Sequence, residues 1–437
     1  MYEKEKQDLL DLKKQMDYLP VPTGKVSEAI QMGFIKAKKR KKSRALKYWG
    51  LATAAILLVS CVSLVRVSPT FANVLSTIPG AEKIINLIRN DKGFMSAVEN
   101  DFLQPVGLKV ESKGVEITVE SLIIDHHDLV VFYKVDVPEE ERDQISISNI
   151  ELIVDDKEKD ELNIGYDPIS AREGKRTSVR FKFDESLNEE SDVKISFVVE
   201  KNDDLLDTFS LPLNIDHSIY KNQHKEINVN KTVKVDNQNI TITKVDTYPL
   251  SMVISIKYDK ENTKQVFGLE NIRVVDEKGE EWGNGKGGVS ASYINDNEHL
   301  IYVESNYFHT SKELYIVFDG IHAINKDDTT IQIDEKNGQL IKYPMDGIIQ
   351  SAKIEGKEIV IQIDDQGENG DLSIDSVTDD AGQDINGHRQ SFISSEGLNQ
   401  KEIRVEYQPE KVTKGPLNLE IGSYPLTHKQ QVKLRIK

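Results

Sequence analysis

The chain has 437 residues, 38% of them hydrophobic and 30% charged, a formal net charge of −17 and a single cysteine. That length is too great for one ordinary core and calls for two to four domains, and one cysteine excludes an internal disulfide framework. The charge is also divided: residues 1–47 carry +7 and the rest −24, a basic head on an acidic body, which suggests two compartments or two partners.

Residues 1–47 read as a helical head. Within "EKEKQDLLDLKKQMDY", Leu9, Leu12 and Met16 recur at i, i+3 and i+7, one apolar stripe on a charged helix. "LPVPTG" breaks that helix, because its two prolines cannot sit in a helix interior. A second helix follows, with Val26, Ile30 and Phe34 on one face. Two such short helices cannot build a sizeable core. They form either a loosely ordered segment or a docking element whose stripes a cytosolic partner buries. The head has no His and no Cys, so it lacks metal-binding spacing.

The stretch "KAKKRKKSRALKYWGLATAAILLVSCVSLV" then changes character at Tyr48. Its first twelve residues hold eight Lys or Arg and the next eighteen hold no charge. Eighteen helical residues span about 27 Å, close to the hydrocarbon thickness of a bilayer. Lys38, Lys39, Arg40, Lys41, Lys42, Arg44 and Lys47 precede the run, Tyr48 and Trp49 sit at its basic edge, and Arg66 alone follows. The expectation is one transmembrane helix at 48–66, with the N-terminus cytoplasmic and residues 67–437 extracellular. Two other readings exist. "LVSC" looks like a lipobox that would lipidate Cys61, and "TFA" at 70–72 resembles a signal-peptidase site. Both are disfavoured by the 47 residues ahead of the run, since a secretory leader is about 15–30 residues in all. The cations are better explained as topology signals and anionic-lipid contacts than as a nucleic-acid arm.

Residues 67–105 read as a short helical juxtamembrane segment. Pro69 ends the membrane helix, Thr77 caps a helix with Ile84, Leu87 and Ile88 inward, and a second helical stretch covers about 91–102. The period then changes. "GVEITVESLIIDHHDLVVFYKVDV" alternates apolar and polar residues and is rich in β-branched and aromatic types, as half-buried strands require. Short strands recur with turn signals about every 8–12 residues, the pattern of an antiparallel sandwich. Residues 116–136 align without a gap on 239–259 at an offset of 123, and 149–157 on 271–279 at 122, which predicts two units with one strand plan. A weaker third copy begins near 356. The chain is therefore expected to be mainly β. Tandem immunoglobulin-like sandwiches would occupy 106–220 and 221–347, and a smaller β domain 348–437.

Chemistry-bearing motifs are few. "DHHD" at 125–128 has metal-ligand residue types, but its repeat counterpart is "YPLS" at 248–251, so it reads as a polar hairpin turn. "GNGKGG" at 283–288 reads as a hairpin loop, and the pairs Asp155–Asp156 and Asp379–Asp380 as solvated turns. The nine histidines are scattered. Nucleophile-elbow, zincin, phosphate-loop and calcium-loop patterns are absent. Neither an enzyme nor a cofactor, metal or directly bound nucleic acid is expected.

The segments "VPTGKVSEAI…GFIKAKKRKK" and "VSPTFANVLSTIPGAEKIINLI" resemble Gram-positive membrane proteins identified as negative effectors (anti-sigma factors) of extracytoplasmic-function sigma factors, with domain-of-unknown-function family 4179. The likeness covers about the first 215 residues. It implies a head that holds a sigma factor inactive through Leu9, Leu12, Met16, Val26, Ile30 and Phe34. It also implies an outer body that senses envelope state through an unknown ligand, and release by a membrane protease. The head departs from zinc-type anti-sigma domains in lacking His-x-x-x-Cys-x-x-Cys. The rival expectation is a non-enzymatic envelope-binding or adhesion protein, anchored by the apolar run or as a lipoprotein.

Overall fold

In a computed structural model of the chain, the described residues are Ile84, Leu87, Ile88 and 90–437, apart from 159–161, 165–175, 184–185, 284–289, 365–370 and 395–399. The contacts divide the chain into 1–67 and 68–437, and every described residue belongs to the second unit.

The expected fold class needs a correction. The described residues are mainly β, in six antiparallel sheets, and the β-sandwich part fits. The transmembrane helix and the helical head do not appear: among the described residues no helix is long and apolar enough to cross a membrane. The helix at Lys92–Glu99 (α1) has 8 residues and is about 12 Å long, against the roughly 30 Å of a bilayer core. The head, the run 48–66 and all residues assigned to partner binding, membrane topology or lipidation lie outside the described residues.

α1 starts where Asp91 accepts the N–H of Phe94 at 2.9 Å, a capping bond that satisfies an otherwise orphaned donor. Its Phe94, Ala97 and Val98 enter the first core beside Ile84 and Ile88. Leu87, expected to face inward, is 42% exposed, because the buried stripe runs through Ile84 and Ile88 at i, i+4 spacing.

The first sandwich contains β1 (Gln104–Ser112), β2 (Val115–Ile124), β3 (Asp128–Asp136), β4 (Ile145–Val154), β5 (Lys157–Glu158), β6 (Leu162–Ile164), β7 (Arg176–Lys182), β8 (Val193–Lys201) and β9 (Asp204–Pro212). One sheet runs β1-β2-β3-β7-β6 and the other β5-β4-β8-β9. β2 begins with strict alternation of buried and half-buried residues, but its last four residues are all buried, as are the first six of β3. Strand ends buried on both faces are covered by something beyond their own sandwich.

The second sandwich repeats the plan with β10 (Lys225–Val235), β11 (Gln238–Thr247), β12 (Ser251–Tyr258), β13 (Lys264–Glu270), β14 (Arg273–Asp276), β15 (Glu281–Trp282), β16 (Ser290–Asn295), β17 (Glu298–Glu304) and β18 (Leu314–Asn325). Its first sheet is β10-β11-β12-β17-β16. β11 and β12 occupy the positions of β2 and β3 shifted by 123 residues. In the second sheet β13 and β14 together do what β4 does alone, pairing along one side of β18.

The other side of β18 is filled from the chain's far end, by β27 (Thr427–Arg435), at the place β9 holds beside β8. Between them lies the third sandwich: β19 (Thr330–Ile333), β20 (Leu340–Lys342), β21 (Ile349–Glu355), β22 (Glu358–Asp364), β23 (Ser373–Asp379), β24 (Asn386–Ser394), β25 (Gln400–Tyr407) and β26 (Leu417–Ser423). Its sheets are β20-β19-β26-β23 and β21-β22-β25-β24. The third unit is thus inserted into the hairpin that β8 and β9 make directly, whereas the sequence reading set all of 348–437 apart. Phe267 and Ile324 of the second sandwich pack in the third core.

Candidate functional site

The turn 125–128 joins β2 to β3, closed by the N–H of Asp125 donating to the carbonyl of Asp128 at 2.9 Å. It is a hairpin turn, as the repeat implies, but it is not at the surface: Asp125 and Asp128 are both 0% exposed. Its cover is its own counterpart. One carboxylate oxygen of Asp125 accepts from the backbone N–H groups of His127 (2.9 Å) and Asp128 (3.0 Å), and the other from the N–H of Leu250 at 2.8 Å. Leu250 is 1% exposed and packs in the first core although it belongs to the second sandwich. The rings of His126 and His127 lie 5.2 and 4.7 Å from Tyr248, and His224 stacks on that ring at 4.7 Å. Histidines scattered in sequence therefore converge on one tyrosine of the repeat.

Asp128 is the electrostatic centre of this junction. Arg180 Nε lies 2.6 Å and Lys182 Nζ 3.3 Å from its carboxylate. Arg180 also covers the ring of Phe94 at 4.8 Å, and Lys182 that of Tyr302 at 4.0 Å, so the two cations tie α1 and β17 to the turn. Burial would raise the Asp128 pKa, but the charges of Arg180 and Lys182 hold it well below the carboxylate range. For Asp125, burial and then the nearby Asp128 charge push the pKa up to about 6. Neighbouring carboxylates whose surroundings separate their pKa values are common in catalysis, but here both are sealed from solvent. The arrangement is suited to clamping two sandwiches together, not to meeting a substrate.

α1 reinforces the clamp. A Cβ on Gly93 would lie 2.9 Å from the backbone nitrogen of Ser305, so the helix approaches the second sandwich at a distance only glycine allows. Lys92 donates to the carbonyl of Glu281 at 2.9 Å, and Phe102 meets Phe308 edge to face at 5.3 Å.

Solvent reaches a different place, a cleft of about 680 Å³ between the second and third sandwiches, lined in part by Gln265, Tyr293, Asp296, His299, Asp375 and Glu420. Tyr293 is 58% exposed and its ring lies 4.4 Å from the buried His299, which also touches Tyr258 at 4.8 Å. Burial pushes His299 down to about 4, so it is neutral near pH 7. Burial, then Glu420 and Asp296, raise Asp375. An aromatic face beside carboxylates suits a polar ligand with hydroxyl or amine donors.

Neither place gathers metal ligands. Among the described residues, that grouping falls at Asp276, Glu280 and His309. Asp379, expected to be solvated, is 1% exposed and accepts from Ala381, Gln383, Thr413 and Lys414.

No curated protein matches the chain. Among solved structures, a conserved domain protein from Bacillus anthracis is similar at 12% identity and a TM-score of 0.35, over 55% of this chain and 84% of that one. A cycloalternan-forming enzyme from Listeria monocytogenes gives 7% identity and 0.13, over 68% and 29%. A marsupial T cell receptor gives 8% and 0.13, over 71% and 95%. Scores this low carry no argument about this chain's fold or activity. The family likeness holds for segments: residues 41–136, from the basic cluster through β3, match the domain of unknown function DUF4179, and residues 224–363, from the start of the second sandwich through β22, match the family of unknown function DUF5643.

Proposed function

We propose that the chain is a membrane-attached, non-enzymatic regulator: an anti-sigma-factor-like negative effector with a cytoplasmic head and an extracellular β-body. In this proposal Leu9, Leu12, Met16, Val26, Ile30 and Phe34 bury against an extracytoplasmic-function sigma factor, the β-body responds to envelope state, and a membrane protease near the apolar run releases the head. One observation carries the reading. Eight cations in residues 36–47 give way at Tyr48 to eighteen uncharged residues, which separates a small striped head from a large acidic body on opposite sides of a membrane. The buried junction between the first two sandwiches adds support, since a sensor body must carry a change of state to the segment before it as a unit. The test is to co-express the full-length chain with each such sigma factor of its host. One sigma factor should co-purify with the membrane fraction and its reporter should fall, and Leu9→Asp/Ile30→Asp should abolish both effects. No co-purification and no reporter change with any sigma factor would overturn the proposal.

The second reading, an envelope-binding module anchored by the apolar run or lipidated at Cys61, is favoured by the cleft beside Tyr293. Deleting residues 1–35 separates the two: a regulator loses its transcriptional effect, whereas a binding module keeps its envelope attachment.

A further inference from the structure

We propose that Asp276, Glu280 and His309 form a binding site for a divalent transition-metal cation of the zinc class. Asp276 ends β14, Glu280 lies in the turn to β15, and His309 follows β17. His309 Nε2 is 3.6 Å from Asp276 Oδ2 and 3.6 Å from Glu280 Oε2, and one donor atom from each residue falls within 4.8 Å of the others. A tetrahedral ion with bonds of about 2.0–2.2 Å has ligand–ligand edges of about 3.3–3.6 Å. Two of the three pairs therefore already stand at the separation such an ion sets, and the fourth position is left for water.

Two orphaned atoms point to the ligand. Asp276 is 2% exposed, and both its Oδ2 and the Nε2 of His309 are shielded from solvent without a hydrogen-bond partner. Buried polar atoms are nearly always paired, and here two unpaired ones face each other beside a third donor.

A second copy of the same turn elsewhere in the chain sharpens the point. "VDEKGE" at 275–280 and "TDDAGQ" at 378–383 share one geometry. In each, the Asp N–H donates to the carbonyl four residues on at 3.0 Å, and glycine supplies a positive φ, +81° at Gly279 and +79° at Gly382. In each, Oδ1 accepts from two backbone N–H groups, those of Lys278 and Glu280 (2.8 Å both) or of Ala381 and Gln383 (2.9 Å both). The difference is the other oxygen. Asp379 Oδ2 accepts from the N–H (2.9 Å) and hydroxyl (2.5 Å) of Thr413 and from Lys414 N–H (3.2 Å). Asp276 Oδ2 instead faces an imidazole and a carboxylate. The turn is closed by protein donors in one copy and presented to a cation in the other. An imidazole nitrogen in the set selects a transition metal over calcium or magnesium, which take oxygen shells.

The reporter is built in. Trp282 lies 4.9 Å from the His309 ring, and the chain has two tryptophans, so Trp49→Phe leaves Trp282 as the only one. The full-length Trp49→Phe chain, purified in detergent and stripped with chelator, is titrated with Co²⁺. Saturation at one equivalent, quenching of Trp282 and a four-coordinate cobalt absorption spectrum are expected, each reversed by Zn²⁺. His309→Ala and Glu280→Gln should each weaken binding at least tenfold, with circular dichroism and unfolding midpoint checked to keep the variants comparable. Asp276 is left intact because its Oδ1 holds the turn. Absence of saturable one-equivalent binding, or unchanged affinity in either folded variant, overturns the site.

Discussion

The turns 125–128 and 248–251 occupy the same position in two copies of one strand plan, yet their chemistry is opposite. The first presents two buried carboxylates; the second presents a backbone N–H, a leucine and an aromatic ring. Two copies of the charged turn could not meet face to face, because four carboxylates would share one dry space. Two copies of the apolar turn would meet with backbone donors unpaired. Divergence at a single turn is what lets the repeats pack against each other. Asp125 reaches across to Leu250 N–H, and the Leu250 side chain enters the first core.

The strongest way to break this comparison is Asp128→Ala. It leaves the buried Lys182 and the half-buried Arg180 without this counter-charge, a loss of about 3–5 kcal/mol. Ser251→Ala, at the corresponding place in the other turn, removes one buried hydroxyl beside that carboxylate and should cost about 1 kcal/mol. Urea unfolding of the full chain, followed by near-ultraviolet circular dichroism, checks both. Equal costs would mean that Asp128 does not hold the junction. Next is Leu250→Ala, expected to cost about 2–4 kcal/mol because the leucine fills a core that is not its own. Its counterpart His127→Ala should lose one hydrogen bond, the 2.9 Å contact with the carbonyl of Phe183, and the edge-to-face contact with Tyr248, together about 1–2 kcal/mol.

The repeat was legible because period-two alternation survives in β2 and β11, and an ungapped offset of 123 requires nothing more. The hairpin at 125–128 was legible for the same reason. Its burial was not, because alternation reports one sheet face, and a second cover supplied by another domain leaves no period of its own. The insertion of the third sandwich was also hidden: β18 and β27 are adjacent in space but about a hundred residues apart, and pairing partners are not written in either strand. At the metal-ligand cluster, Asp276 and Glu280 sit at turn spacing while His309 comes from another segment, so only the fold unites them.

A smaller effect should follow from pH. The folded-state pKa of Asp125, near 6, lies above its ordinary value of about 3.9. The folded chain therefore binds more protons between those values, and the Asp125 contribution to stability grows as pH falls from 7 towards 4. Asp128 works the other way. Its pKa is depressed, so its stabilisation is fully present above the ordinary carboxylate range and is lost progressively as pH falls through and below that range. Compared with Asp125→Asn, the native chain should gain about 1 kcal/mol of stability between pH 7 and pH 5. Parallel unfolding midpoints at the two pH values would remove Asp125 as the titrating group.

The smallest effects belong to the solvated ends of the same strands. Lys134 and Lys257 are counterparts at the offset of 123, and each holds a half-exposed carboxylate, Asp136 and Glu298 respectively. Surface pairs of this kind contribute about 0–1 kcal/mol, so Lys134→Ala and Lys257→Ala should each shift the unfolding midpoint little and by similar amounts. The two repeats should thus respond alike at their open ends and very differently at the turns where they touch. A large cost at either lysine would place the difference between the repeats in the strand plan itself, and the turn would then be a consequence of that difference, not its source.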